Sequence, residues 1–159
     1  MIRRIISGGT AALMLAAGLL LAGPASTAHA TAAECSNGAN GFTDISDSLR
    51  GTPVNGTAVT NSNGNAASFG QHVGTVSGRQ MGWGFLEARN LPSSVRVDLW
   101  MDVTNDGGNT WIQCGPFSMW GSGTITTAAY PTSSSSLRKF RVCASITGPG
   151  GGPQCLNWW

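Results

Sequence analysis

The stretch from Ser94 to Phe117 constrains the fold of this chain more than any other. Val95, Val97, Leu99, Met101 and Val103 alternate with Arg96, Asp98, Trp100 and Asp102. Period-two alternation predicts a strand with one apolar face and one mostly polar face. Asn105 to Asn109 follow, rich in residues that tolerate positive φ, and a second β-prone run begins at Thr110. The stretch reads as a long β-hairpin at the centre of an all-β domain.

The same alternation returns near the end of the chain. Phe140, Val142, Ala144 and Ile146 alternate with Lys139, Arg141, Cys143 and Ser145. Shorter strands are expected at Thr57–Thr60, Ser68–Val76, within residues 79–91 (which hold Trp83, Phe85 and Leu86), at Phe117–Trp120, at Thr124–Ala129 and at Cys155–Trp159. Gly115-Pro116 is expected to break the central strand, and Gly148–Pro153 can only be a loop. Residues 36–80 carry many turn dipeptides, with a short helix or turn expected at Asp44–Arg50. No helical periodicity of useful length occurs. About seven or eight short strands of this kind predict a single-domain β-sandwich or a small barrel. The last strands resemble the final hairpin of immunoglobulin-like and fibronectin-like sandwiches, which is a resemblance of architecture only.

The N-terminus reads as an address. Arg3 and Arg4 precede an uncharged apolar run from Ala11 to Ala22, and Ala28-His29-Ala30 is a small-x-small cleavage site. Residues 1–30 are therefore expected to be a secretory signal peptide. Residues 31–159 are then one secreted domain, extracellular and free of the membrane, within which residues 31–56 read as poorly ordered. Two of the nine basic residues leave with the signal and all seven acidic ones stay, so the mature chain is formally neutral. A neutral chain argues against nucleic acid as a partner. The Ala- and Gly-rich composition, with Arg far in excess of Lys, resembles that of small secreted actinobacterial proteins.

Four cysteines lie in the mature part: Cys35, Cys114, Cys143 and Cys155. An even number in a secreted chain predicts two disulfides. Folding of the Gly/Pro-rich loop near Pro149 brings residues 143 and 155 opposite each other, so Cys143–Cys155 is expected, and Cys35–Cys114 by elimination. No close Cys pair suggests a metal, and no cofactor is expected.

The hairpin loop fits the pattern Ser/Thr-x-Asp-x-Gly-x-Thr-Trp through Thr104, Asp106, Gly108, Thr110 and Trp111. It resembles an Asp-box, the hairpin motif of sialidase propellers and of other secreted β proteins. The resemblance implies a structural turn away from any catalytic centre. Asp106 is expected to accept backbone N–H groups, and Trp111 to fold back onto the apolar side. A calcium loop fits less well, because Thr104 and Gln113 stand where carboxylates are needed.

Six tryptophans remain in the mature chain. Trp83 and Trp111 are expected in the core. Trp100 shares its strand face with Arg96, Asp98 and Asp102, so it is either an exposed platform or a buried ring covering the Cys114 disulfide. Trp158 and Trp159 are adjacent and should point to opposite sides. Trp100, Asp98, Asp102, Trp158 and Trp159 are therefore the candidate binding residues, for a glycan or a protein. For catalysis the mature chain keeps one histidine, His72, and no marked nucleophile. Glu87, Arg89 and His72 resemble the Glu/Arg/His set of small secreted ribonucleases, but read as scattered polar surface. The expected function is a secreted, non-catalytic extracellular binding module. The alternatives are an inhibitor presenting the Gly148–Pro153 loop to a protease or other hydrolase, and a small hydrolase or ribonuclease.

Overall fold

The structure, a computed structural model, describes residues 28–159. Most of the signal peptide expected over residues 1–30 lies outside the described residues. In chain order the elements are β1 (Ala28–Ala30), α1 (Ala32–Ser36), a 3-10 turn (Ala39–Gly41), β2 (Thr52–Thr60), β3 (Ala66–Val76), β4 (Arg79–Ala88), β5 (Arg96–Thr104), β6 (Ile112–Trp120), β7 (Gly123–Thr126), β8 (Tyr130–Pro131), β9 (Lys139–Ile146) and β10 (Gln154–Cys155). They form one five-stranded sheet in the order β1-β6-β5-β9-β10 and one in the order β2-β3-β4-β7, with β8 also paired to β4. The sheets do not close into a barrel, so the protein is an all-β, disulfide-bonded sandwich.

The core follows from the alternation. Val97, Leu99, Met101 and Val103 of β5 are fully buried, as are Val142 and Ala144 of β9. They pack in one cluster with Phe140 and Ile146 of β9, Phe69 of β3, Leu86 of β4 and Ile125 of β7. Gln71 of β3 is also fully buried, and neither its amide nitrogen nor its amide oxygen has a partner.

The central hairpin pairs β5 with β6, and the expected break at Gly115-Pro116 does not occur. The strand runs through it from Ile112 to Trp120, with a register shift opposite Leu99–Met101. Gly115 adopts φ 124°, and a Cβ there would sit 2.8 Å from Trp100 Cβ, so only glycine lets the two strands stay together at this irregularity.

Residues 31–56, read above as poorly ordered, carry defined structure. Thr31 and Glu34 form a reciprocal capping box on α1. Residues 42–50 cross the outer face of the four-stranded sheet without forming a helix. Ile45 and Leu49 pack there on Met81, Trp83 and Phe85, and Trp83 Nε1–H donates to the Leu49 carbonyl at 3.2 Å. Trp83 is thus buried as expected, but beneath this segment and not between the sheets. The terminal strand is shorter than expected, being only Gln154–Cys155, although Trp159 still exchanges two backbone hydrogen bonds with Phe140.

The disulfides join Cys35 to Cys114 and Cys143 to Cys155, with Cα–Cα distances of 6.0 Å and 4.0 Å. The first ties α1 to β6, and the second clips β10 to β9. Among the described residues no helix is long and apolar enough to cross a membrane.

Candidate functional site

The polar face of β5 looks outward from the five-stranded sheet, and its side chains are linked across the neighbouring strands. Asp98 accepts from Ser118 Oγ on β6 at 2.6 Å, from Arg96 at 3.1 Å and from Ser145 Oγ on β9 at 3.3 Å. Asp98 is only 8% exposed, so it organises this surface more than it offers itself to a ligand. Trp100 is half-buried, and Asp98, Gln113, Pro116 and Ser145 surround it in an open depression of about 240 Å³. Its partner across β9 is Cys143. The indole therefore neighbours the Cys143–Cys155 disulfide and not Cys114, whose side chain belongs to the core.

Asp102, the next outward residue, is 1% exposed and cannot meet a ligand directly. Arg141 donates to its Oδ2 through Nε at 2.9 Å and through a terminal nitrogen at 2.6 Å. Burial pushes the Asp102 carboxyl above its ordinary range, and Arg141 opposes that shift. The guanidinium in turn lies 4.5 Å from the Trp158 ring centroid and 5.2 Å from that of Trp111. Trp111 therefore packs on the outer face, half-buried and edge-on to Trp158 at 6.2 Å, and does not fold onto the apolar side. The cation draws it outward, since Arg141 gains two aromatic faces. Trp158 and Trp111 act as a clamp on Arg141.

Trp159 goes to the other side, as adjacency in an extended chain requires. Its ring stands 6.1 Å from that of the core residue Phe140 and remains 47% exposed. Trp120 is the most exposed indole, at 61%, with the Arg96 guanidinium 6.0 Å from its centroid. The sequence reading did not single out Trp120. Once β6 is continuous, Trp120 pairs with Arg96 and shares the outward face with Trp100.

No family model, no curated protein and no solved structure matches this chain. Only the geometry therefore bears on function.

The Asp-box-like loop has the bonding of a closed turn. Asp106 accepts from the Thr110 hydroxyl at 2.6 Å, from the Thr110 N–H at 2.9 Å and from the Thr104 hydroxyl at 2.7 Å. Thr104 Oγ1 also accepts from the Gly108 N–H at 3.0 Å. These donors, Thr110 foremost, hold the Asp106 carboxyl far below the ordinary range. Both oxygens are engaged inside the turn. Among the described residues, no group of three His, Cys, Asp or Glu side chains is placed to hold a metal.

His72, Glu87 and Arg89 share the outer face of the four-stranded sheet, with His72 and Arg89 at opposite ends of the row. Glu87 bridges Arg50 at 3.3 Å and Arg89 at 3.1 Å, and the Arg50 hydrogen bond leads the causes that hold its carboxyl low. His72 Nδ1 meets the Arg50 carbonyl, and its ring stacks 5.0 Å from Phe85. Phe85 lies between His72 and Glu87 in this row. Arg50, from the crossing segment, carried no signal in the sequence.

The Gly148–Pro153 loop does not project freely. Ser62 N–H donates to the Pro149 carbonyl at 2.8 Å and Asn61 Nδ2 to the Thr147 carbonyl at 2.8 Å, which fasten the loop to the β2–β3 turn.

Proposed function

We propose that this protein is a secreted, non-catalytic binding module that takes a glycan on the outer face of the five-stranded sheet. The observation that carries the proposal is Trp100, half-buried in a depression whose other walls are a carboxylate, an amide and a hydroxyl. An indole offers a flat, polarisable surface to the C–H face of a pyranose. Side chains of Gln113 and Ser145 at its margin can exchange hydrogen bonds with ring hydroxyls, while Asp98 holds Ser145 in place. The depression is shallow, as suits a unit within a chain better than a small ligand that must be enclosed.

The platform is rigid. The disulfide beside Trp100 and the Asp102–Arg141 clamp fix it before any ligand arrives, which lowers the ordering cost of binding. Trp120 lies on β6 opposite Arg96, which is four residues along β5 from Trp100, roughly 13 Å along the strands at the usual rise. That spacing lets a second sugar along the same chain meet a second indole. Export through the expected signal peptide accords with the two disulfides, which persist in oxidising compartments. Cleavage after Ala30 would also remove His29, whose ring nitrogen now lies 2.8 Å from Gln113 Nε2. The Gln113 amide would then be free at the edge of the depression.

The test is retention of the purified mature domain on insoluble neutral polysaccharides of differing linkage. Retention on at least one, competed by its soluble oligosaccharide, is expected. Capture of a protein with no retention on any polysaccharide would reassign the same indoles to a protein interface.

A further inference from the structure

A wide concavity lies on the opposite side of the molecule, on the outer face of the four-stranded sheet. Its volume is about 480 Å³, and its walls include Arg50, Asn55, Ser68, His72, Phe85 and Glu87. A second depression of about 280 Å³ shares Ser68 and Glu87 with it and ends at Ala66 and Arg89. The two make one open-ended groove along β3. From His72 to Ala66 it spans six residues, roughly 20 Å.

Bare backbone forms part of the floor. Gly56 and Gly70 face each other across β2 and β3. A Cβ on Gly70 would lie 2.6 Å from the Asn55 carbonyl oxygen, and one on Gly56 would lie 3.0 Å from that of Phe69. The Asn55 side chain does not join this floor: it pairs with Gln71 on the inward side of β3, where its oxygen is buried.

The charges point the same way. Arg50 and Arg89 share the single carboxylate of Glu87, and their side chains are 59% and 78% exposed. Each guanidinium keeps N–H donors to spare. Among the described residues, no acidic side chain other than Glu87 lines the groove. The groove thus carries one excess positive charge and the Ser68 hydroxyl.

We propose that this groove is a second binding site, for an acidic glycan whose carboxylate or phosphate groups meet Arg50 and Arg89 and whose hydroxyls meet Ser68. It is independent of the glycan reading for the Trp100 face. Single-stranded nucleic acid fits less well, because it needs an open aromatic ring for its bases. Phe85 is 5% exposed, with Arg50 5.1 Å from its centroid and His72 packed beside it.

The test titrates the domain at low salt with polygalacturonate, poly(glycerol phosphate), neutral dextran and poly(U). Expected is binding to one or both acidic polyol polymers, weakened at least about tenfold in Arg50→Gln, the equivalent of one charge-assisted contact, and weakened further by salt. Whether polygalacturonate or poly(glycerol phosphate) binds tells carboxylate from phosphate, and either result supports the site. Arg89→Gln is the second variant, because Arg50 also holds Phe85 and Glu87. Trp100→Ala should bind the acidic polymer as wild type does, which separates this site from the other face. The proposal is overturned if neither acidic polymer binds, if both arginine variants bind as wild type, if dextran binds equally, or if poly(U) alone binds and Arg50→Gln abolishes it.

Discussion

Trp100 lies directly across from Cys143 in the antiparallel pairing of β5 with β9. The indole and the Cys143–Cys155 disulfide thus share the outer face of the five-stranded sheet, while Cys35–Cys114 ties α1 to β6 from the core side. One disulfide belongs to the fold and the other adjoins the proposed platform.

Replacing Cys143 and Cys155 together by serine should therefore affect two readouts. The bridge closes a short loop between residues 12 apart, so its loss should cost about 2–3 kcal/mol by chemical denaturation. Glycan affinity should fall as well, measured well below the new melting temperature. Lost stability with unchanged affinity would separate the disulfide from the platform.

The Asp102–Arg141 pair should be a stability element. Asp102→Asn leaves a guanidinium without its counter-charge on a mostly buried surface, at a cost of about 2 kcal/mol. Arg141 is partly exposed and keeps its two aromatic neighbours, so the loss should stay below that of a fully buried pair. Because burial raises the Asp102 carboxyl, its ionisation opposes folding. That opposition is relieved as pH falls through the raised folded value, so the wild type gains stability that a non-titrating Asn cannot, and the Asp102→Asn penalty should grow in acid. Urea titrations at neutral and mildly acidic pH would show it.

Asp106 should behave with the opposite sign. Its folded carboxyl titrates far below the ordinary value of 3.8. Its contribution is thus fully present above the unfolded pKa and is lost as pH falls toward the depressed folded value. Asp106→Ala should lower the melting temperature by several degrees at neutral pH and leave glycan binding intact. The gap between mutant and wild type should narrow below about pH 4. A gap that widened in acid would contradict the bonding described for the turn.

Gln71→Met should stabilise the protein. The wild-type amide is fully buried with neither end bonded. Replacing it by an apolar side chain of similar length removes a desolvation penalty of about 1–3 kcal/mol. A denaturation midpoint that moved down would show that the amide is bonded within the core.

How much of this was legible depended on where alternation was unambiguous. β5 and β9 each alternate apolar with polar residues, so their inward and outward faces followed directly. β4 does not: Met81, Trp83 and Phe85 face one way and Leu86 and Ala88 the other, and all are buried. Its pattern could not show that a separate segment covers one face. In β6 the Gly115-Pro116 pair resembled a break, which hid the parity of Trp120. A register shift absorbed the irregularity, and that is a property of the pairing, not of the strand itself. Arg50, Ser68 and Glu87 come from three separate segments, so no local pattern could join them. Trp111 was misplaced because the attraction of Arg141 comes from a strand about 30 residues away.

The most direct measurement is a binding isotherm of wild type and Trp100→Ala on the neutral polysaccharide that retains the wild type. Trp100 is half-buried, so the variant must first show a cooperative melt. Removing an aromatic anchor should then cost more than about tenfold in affinity, while Trp159→Ala, which lies off this face, should bind as wild type. A folded Trp100→Ala protein that binds as tightly as wild type would contradict the account.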